Sequence, residues 1–250
     1  MTVWQAVLVA VAGVWAGTIN TVVGSGTLVT FPVLLGIGIS PVTANVSNTV
    51  GLFPGSFTGA YGYRRELAGQ RQRAIVLGTG SVLGAITGAV LLLALPADAF
   101  KAIVPALIIL ALLLVVFGNR ITAWLVIRGH HASERVGVAL WLTIFGTGIY
   151  GGYFGAAQGV LMMGFLGLFL TEPLQRQNAL KNLLTGFANF VAAIVFIATT
   201  HIDWLAAGLI AGGSIIGGLL GARIGRRLSP AVLRAVIVVV GLAAVVKLLI

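Results

Sequence analysis

The sequence predicts an all-α polytopic membrane protein built from two inverted repeats, and three observations lead to this fold class. Of the 250 residues, 59% are hydrophobic and 8% are charged, whereas an ordinary soluble domain has about 25% charged residues. The charges stand in short clusters between apolar runs that are long enough to cross a ~30 Å hydrocarbon layer as helices of about 20 residues. The two halves of the chain also match each other. This composition excludes a water-soluble globule.

The first half predicts a hairpin and three spans. No Asp, Glu, Lys or Arg occurs between Met1 and Tyr63, and Pro41 is expected to open a helix within this run. We expect the first repeat to cover residues 1–119, with a hairpin at about 3–39 and spans at about 41–62, 74–95 and 100–118.

The second half predicts the same arrangement after a polar connection. Residues 120–135 hold Arg120, Arg128, Glu134 and Arg135 and are expected to form a cytoplasmic linker. We expect the second repeat to cover 136–250, with a hairpin at about 136–171 and spans at about 174–200, 203–222 and 229–249.

The distribution of arginine decides whether residues 136–171 form one span or a hairpin. A single span would place Arg223, Arg226 and Arg227 across the membrane from Arg64 and its neighbours, against the positive-inside rule. A hairpin places every cluster of three or more arginines on one side. It also places both termini outside. The basic residues behind the net charge of +10 stand at the ends of apolar runs, so they indicate the topology of the spans. They do not form an aromatic-interleaved basic patch of the kind that binds nucleic acid.

An internal repeat supports this division. At a shift of about 133 residues, Gly80–Ala89 matches Gly213–Ala222, and Pro41 and Gly24 match Pro173 and Gly155 at nearly the same shift. A hairpin plus three spans crosses the membrane an odd number of times, so the halves must be inverted. Inverted repeats with interrupted helices are typical of transporters, with the substrate near midplane. The spaced glycines in the matched stretches favour close helix packing, and no chemistry is assigned to them.

The middles of the two hairpins carry the candidate site. Small residues suit a turn at membrane depth, and the free N–H groups of a broken helix favour an anion. For any single Asn or Ser the alternative is a plain interhelical hydrogen bond, and Lys181 could instead extend to the interface. The candidate substrate-binding residues are Asn20, Gly24, Ser25, Gly26, Thr27, Ser47, Asn48, Gly155, Gln158, Gly159, Lys181 and Asn182.

The acidic residues limit the coupling chemistry. All five acidic residues fall in loops or at span ends: Glu66, Asp98, Glu134, Glu172 and Asp203. No carboxylate is therefore expected at midplane to relay protons or hold Na⁺, and export driven by the membrane potential needs no coupling ion. The chain has no cysteine, and no metal-ligand cluster or activated nucleophile is evident, so we expect neither a cofactor nor enzymatic activity.

Four segments at the hairpins and at the spans that follow them carry a resemblance to a known family: Ala16–Leu28 with Pro32, Ser40–Asn48, Gly152–Gly155 and Ala179–Asn182. Through them the chain resembles the sulfite exporter TauE/SafE family. The resemblance implies export of sulfite or organosulfonates across a bacterial inner membrane. The sequence departs from the family's richer glycine cluster at Thr27 and at residues 156–158.

Three classes of function stay open. The first is a transporter or facilitator for small anions, the second is an anion channel that uses the same broken helices, and the third is a membrane enzyme or an assembly factor without transport, with the enzyme ranked last. Saturable flux with counterflow would identify a transporter, and a co-purifying protein without flux would identify an assembly factor. The expected partners are a small anionic substrate and the lipid bilayer, with no nucleic acid.

Overall fold

The computed structural model describes residues 1–127 and 136–224. This part of the chain is helical, and its connections are short. Its helices are α1 (Val3–Val22), α2 (Thr27–Gly36), α3 (Pro41–Gly62), α4 (Arg71–Ala94), α5 (Ala97–Ile127), α6 (Val138–Tyr153), α7 (Gln158–Phe169), α8 (Leu174–Thr199) and α9 (Trp204–Ile224).

Five of the described helices have a segment long and apolar enough to cross a membrane. These segments are Val3–Val22, Arg71–Ala94, Asp98–Phe117, Leu174–Thr199 and Trp204–Ile224. Helix α3 is 22 residues long, but its glycine and polar residues make it less apolar. The chain is therefore a multi-pass membrane protein, and residues 1–127 and 136–224 of it are helical apart from short connections.

Helices α2 and α7 are short and apolar, with 10 and 12 residues. At 1.5 Å per residue they extend about 15 to 18 Å, which is close to half of a ~30 Å hydrocarbon layer. Each contacts the longer helix that precedes it in the chain. The backbone turns between the paired helices at Gly24, with φ +90°, and at Gly155, with φ +77°. Glycine is the residue that adopts these angles without strain.

The glycine-rich helices pack closely between the two halves. Helix α9 contacts α1, and α4 contacts α6. A Cβ on Gly217 would lie 2.1 Å from the carbonyl oxygen of Val14, and a Cβ on Gly84 would lie 2.1 Å from that of Phe145. These glycines bring backbones together, as small residues do in membrane helices.

Two serines make equivalent hydrogen bonds in the two halves. Ser81 Oγ on α4 donates to the carbonyl oxygen of Leu184 on α8 at 2.8 Å, and Ser214 Oγ on α9 donates to that of Gly51 on α3 at 2.8 Å. The serines match each other in the internal repeat. The inverted relation of the halves stays a prediction.

Helix α5 is longer than the sequence predicts. It continues beyond residue 118 to Ile127, into the expected linker. The predicted span ends before Arg120, and the apolar segment Asp98–Phe117 lies close to it. The helix itself continues because the residues after Arg120 are apolar and include no proline or glycine before Ile127. Residues 128–135 of the linker and the predicted last span, 229–249, lie outside the described residues.

Candidate functional site at the hairpin tips

The tips of the two hairpins touch backbone to backbone. The N–H of Gly159 donates to the carbonyl oxygen of Gly24 at 3.0 Å. A Cβ on Gly24 would lie 2.4 Å from the Cα of Gly159, so glycine is needed at this crossing. We call the contact between residues 24–27 and 155–159 the tip junction.

Two helices begin at the tip junction without a side-chain cap. The N-cap residue of α2 is Gly26 and that of α7 is Ala157, and neither accepts a hydrogen bond through its side chain. The first N–H groups of a helix have no partner within the helix, and in α7 those of Gln158 and Gly159 donate instead to the carbonyl oxygens of Gly155 and Gly24. They carry the positive end of the helix dipole, equivalent to about +0.5 charge. Two such ends therefore meet in one buried place.

The carboxyl end of α1, in contrast, is covered by donors from α8. Lys181 Nζ donates to the carbonyl oxygens of Asn20 at 2.8 Å and Thr21 at 3.1 Å. Asn178 Nδ2 and Asn182 Nδ2 also donate to the Thr21 oxygen, at 3.2 and 3.1 Å. The negative end of the α1 dipole is thus satisfied by one ammonium and two amides.

The carboxyl end of α6 is covered in a similar way from α3. Asn45 Nδ2 donates to the carbonyl oxygen of Tyr153, the last residue of α6, at 2.9 Å. Within the second tip, the Tyr150 hydroxyl donates to the Ala156 oxygen at 2.5 Å. Helices α3 and α8 therefore each supply side-chain donors to the end of the broken helix in the other half.

Several polar atoms at the tip junction are buried without a partner. The side chains of Ser25 and Gln158 are 0% and 1% exposed, and Ser25 Oγ and both amide atoms of Gln158 make no hydrogen bond within the described chain. The same holds for Thr21 Oγ1, Asn45 Oδ1 and Asn178 Oδ1. Buried polar groups normally have partners, so these atoms have hydrogen-bonding capacity that the described chain does not use.

Helix α3 fixes the first turn of α2 through one amide. Asn48 Nδ2 donates to Thr27 Oγ1 at 3.1 Å, and Thr30 Oγ1 donates to Asn48 Oδ1. All three side chains are buried. The orientation of the α2 N-terminus therefore depends on Asn48.

Aromatic packing supports the second tip. The ring of Phe154 lies edge-on to Phe31 of α2, with centroids 5.3 Å apart, and contacts Phe100 of α5 at 6.2 Å. The tip is thus held by elements of the first half.

The structure brings most of the predicted site residues to this region. Lys181 is fully buried, and its Cδ lies 3.1 Å from where a Cβ on Gly159 would stand, so its side chain does not extend to the interface. Ser47 has a different environment, because its Oγ accepts a hydrogen bond from the backbone N–H of Asp203 before α9. The residues that lie at the tip junction or hydrogen-bond to its helices are Asn20, Gly24, Ser25, Gly26, Thr27, Asn48, Gly155, Gln158, Gly159, Lys181 and Asn182.

The sequence analysis did not select Asn45 and Asn178, which cover the ends of α6 and α1. The signal was present, since these two residues match each other at the same shift of about 133 residues that aligns the glycine helices.

Comparisons with known proteins agree with this architecture. The family model described as "Sulfite exporter TauE/SafE" matches residues 9–248. The chain is 30% identical over 242 residues to the "Probable membrane transporter protein ORF9" of Sinorhizobium sp, which covers 96% of this chain and 90% of the relative. It is 28% identical over 249 residues to the "Probable membrane transporter protein YfcA" of Escherichia coli K12, covering 94% and 86%. No solved structure gives a significant match.

Proposed function

This chain belongs to the sulfite exporter TauE/SafE family of membrane proteins, and from that premise we propose that it is a transporter that exports a small sulfur-containing anion, sulfite or an organosulfonate, across a bacterial inner membrane. The family and the relatives named as probable membrane transporters support the transporter class. The anion and its binding place are our proposal, and they rest on the chemistry of the tip junction.

One observation carries the proposal: at the tip junction the negative helix ends have donors and the positive helix ends have no side-chain acceptor. Lys181, Asn178 and Asn182 cover the end of α1, and Asn45 covers that of α6. The N-termini of α2 and α7 have no side-chain cap. A small anion is the ligand that such paired N-termini favour.

The unpartnered side chains give the site its selectivity. Ser25 Oγ and Gln158 Nε2 can each donate a hydrogen bond, and both are buried beside the two helix N-termini. A sulfite or sulfonate group presents several acceptor oxygens in a compact volume. It can therefore accept from both side chains at once while it lies in the positive field of the two helix N-termini.

Lys181 links anion binding to the position of the first hairpin. Without substrate its ammonium is balanced by the α1 carbonyl oxygens. An anion at the tip junction attracts the same ammonium, which weakens its hold on α1. The bound and empty sites thus favour different contacts between the first hairpin and α8, and this difference is what a transport cycle requires.

The membrane potential supplies the driving force. A monovalent anion that leaves a negative-inside cell gains about 2.3 kcal/mol per 100 mV. Among the described helices no Asp or Glu lies at the tip junction, so we assign no proton or sodium coupling there.

The experiment is flux of labelled sulfite in proteoliposomes, with and without an imposed potential, with organosulfonates and carboxylates as competitors. We expect saturable flux that responds to voltage, shows counterflow, and is inhibited by organosulfonates more than by carboxylates. Flux without saturation or counterflow would identify a channel. No flux of any of these anions from folded protein would overturn the proposal.

A further inference from the structure

A second feature of the molecule lies on the outer surface between α4 and α8. It is a groove of about 710 Å³, within the range of about 300 to 1,000 Å³ that is usual for ligand pockets. Most of its lining is apolar, and its α4 residues lie at helical spacing along one face. We call it the α4–α8 groove; its lining includes Ala74, Ile75, Gly78, Val82, Leu183 and Phe187.

One end of the groove is basic. Arg71, the first residue of α4, lines this end and is exposed, and among the described residues no carboxylate pairs with it. Arg176 lies nearby, because its Nη1 donates to the carbonyl oxygen of Ala68, another lining residue, at 3.0 Å, but its charge is paired with Glu172 at 2.6 Å, so Arg71 supplies the charge of this end. The mouth of the groove is therefore suited to a negatively charged group.

The dimensions of the groove fit half of a bilayer. From Arg71 to Val82 the lining follows α4 over 12 residues, and the 11 steps between them rise about 16 Å. The hydrocarbon core is about 30 Å thick, so the groove spans about one leaflet. Its charged end lies where α4 begins, and its apolar part continues along the helix.

We propose that the α4–α8 groove binds an anionic phospholipid, with the phosphate at Arg71 and an acyl chain along Ala74, Gly78 and Val82. The proposal does not depend on the transport function. A basic pocket between membrane helices at the level of the headgroups is the arrangement that recognises anionic lipids. The apolar lining matches an acyl chain, and the arginine matches the phosphate.

The length of the groove and its two chemically different parts favour a lipid over other occupants. A membrane helix of a second copy would bury apolar surface across both leaflets, whereas this groove extends over one. A soluble anion would contact the arginine but would leave the apolar lining without a partner. A lipid with one charged end and one apolar chain uses both parts.

The first test uses native mass spectrometry of the full-length protein purified in mild detergent with added phosphatidylglycerol or phosphatidylcholine. Two variants address the two parts of the groove. Arg71→Gln removes the charge, and Gly78→Leu fills the apolar part; a Cβ on Gly78 meets the Phe187 ring at 3.4 Å, an ordinary contact, so this variant is expected to fold.

Each variant has a matched control. Arg65→Gln removes an exposed arginine that does not line the groove. Gly146→Leu adds the same side chain on α6 at an exposed glycine with open space around its Cβ position. Melting temperatures of all four variants confirm that loss of lipid does not come from unfolding.

We expect wild-type protein to retain phosphatidylglycerol in preference to phosphatidylcholine. One arginine at the membrane surface corresponds to about a fivefold change in lipid affinity, so Arg71→Gln should retain about one fifth as much. Gly78→Leu should lose the acyl-chain contact and retain little lipid, and both controls should behave as wild type. Equal retention in all variants, or no preference for the anionic lipid, would overturn the proposal.

The second test locates the acyl chain. Phosphatidylglycerol with a photoactivatable acyl chain is incorporated into proteoliposomes with wild-type protein, and the labelled peptides are identified. We expect labels within residues 74–82 and 183–187. Labels at other positions, such as residues 229–249, with none within 74–82 and 183–187, would show that the acyl chain does not lie in the groove and would contradict the proposal.

Discussion

The backbone N–H of Gly159 donates to the carbonyl oxygen of Gly24 at 3.0 Å, so the tips of two hairpins from opposite halves of the chain meet without any side chain between them. A Cβ on Gly159 would stand 2.5 Å from the Cα of Gly24. This contact sets the distance between the N-termini of α2 and α7. The anion site that we propose therefore depends on two glycines that hold no ligand through a side chain.

Gly159→Ala should lower both transport and stability. The added methyl group must displace the Gly24 backbone, and overpacking of this kind costs about 1 to 3 kcal/mol. We expect a lower melting temperature and at least a tenfold loss of anion flux in proteoliposomes. Gly24→Ala should lower the melting temperature and the flux further, because φ at this position is +90°.

Gly38→Ala is the control for backbone strain. Gly38 also has a positive φ, +95°, but nothing lies within 4 Å of its Cβ position. This variant should be somewhat destabilised and should keep its flux. Wild-type flux and melting temperature in Gly159→Ala would refute the close packing of the tips.

Lys181→Met should abolish most of the anion affinity. The substitution keeps an unbranched side chain but removes the buried charge and its bonds to the Asn20 and Thr21 oxygens. We expect the half-saturating concentration of sulfite to rise at least tenfold, and Lys181→Arg to restore part of the affinity. The control Lys101→Met replaces an exposed lysine of α5 and should leave the half-saturating concentration unchanged. An unchanged half-saturating concentration in Lys181→Met would remove Lys181 from the site.

Asn48→Ala and Asn182→Ala should each weaken transport without unfolding the protein. Asn48 orients the first turn of α2 through Thr27 and Thr30, and Asn182 bonds the Thr21 oxygen. A hydrogen bond of about 1 kcal/mol corresponds to about a fivefold lower flux, so Asn182→Ala, which loses one, should lower flux about fivefold, and Asn48→Ala, which loses two, should lower it more. Gln72→Ala, at an exposed amide on α4, is the control. Normal flux in both asparagine variants would show that neither half contributes to the site through these residues.

Glu172 lies outside the membrane-spanning segments, and its ion pairs should make the stability of the folded protein depend on pH. Its carboxylate bonds Arg73 of α4 and Arg176 of α8, and the Arg73 hydrogen bond is the main cause that holds the pKa of Glu172 below its usual value. A lowered pKa in the folded state stabilises the fold above the unfolded pKa, about 4.3, and the contribution is lost as the pH falls through the folded pKa.

The matching measurement compares melting temperatures of wild-type protein and Glu172→Gln from pH 7 down to pH 3. Wild-type protein should be the more stable at pH 7, and the difference should shrink below about pH 4. A difference that stays constant over this range would show that the carboxylate does not stabilise the link between α4 and α8.

The sequence predicts the local features of this molecule better than its contacts between halves. Apolar runs and arginine clusters indicate the helices, and the glycines at 24 and 155 indicate the turns, because these signals are local. That Lys181 covers the end of α1, or that Asn45 covers the end of α6, follows from tertiary packing between halves. Ser47 shows the same limit, since its bond to Asp203 depends on the fold and cannot be seen from its place beside Asn48.

The most direct test of an anion site at the tip junction is calorimetric binding of sulfite to purified wild-type protein and to Gln158→Leu. Neither amide atom of Gln158 has a partner in the described chain, so leucine breaks no protein hydrogen bond and should keep the fold. Gln177→Leu is the opposite control, because Gln177 Nε2 bonds the Glu172 carbonyl oxygen at 2.8 Å; it should lower stability and keep binding. We predict sulfite binding that Gln158→Leu loses at unchanged melting temperature. Equal sulfite affinity in wild type and Gln158→Leu would contradict the account.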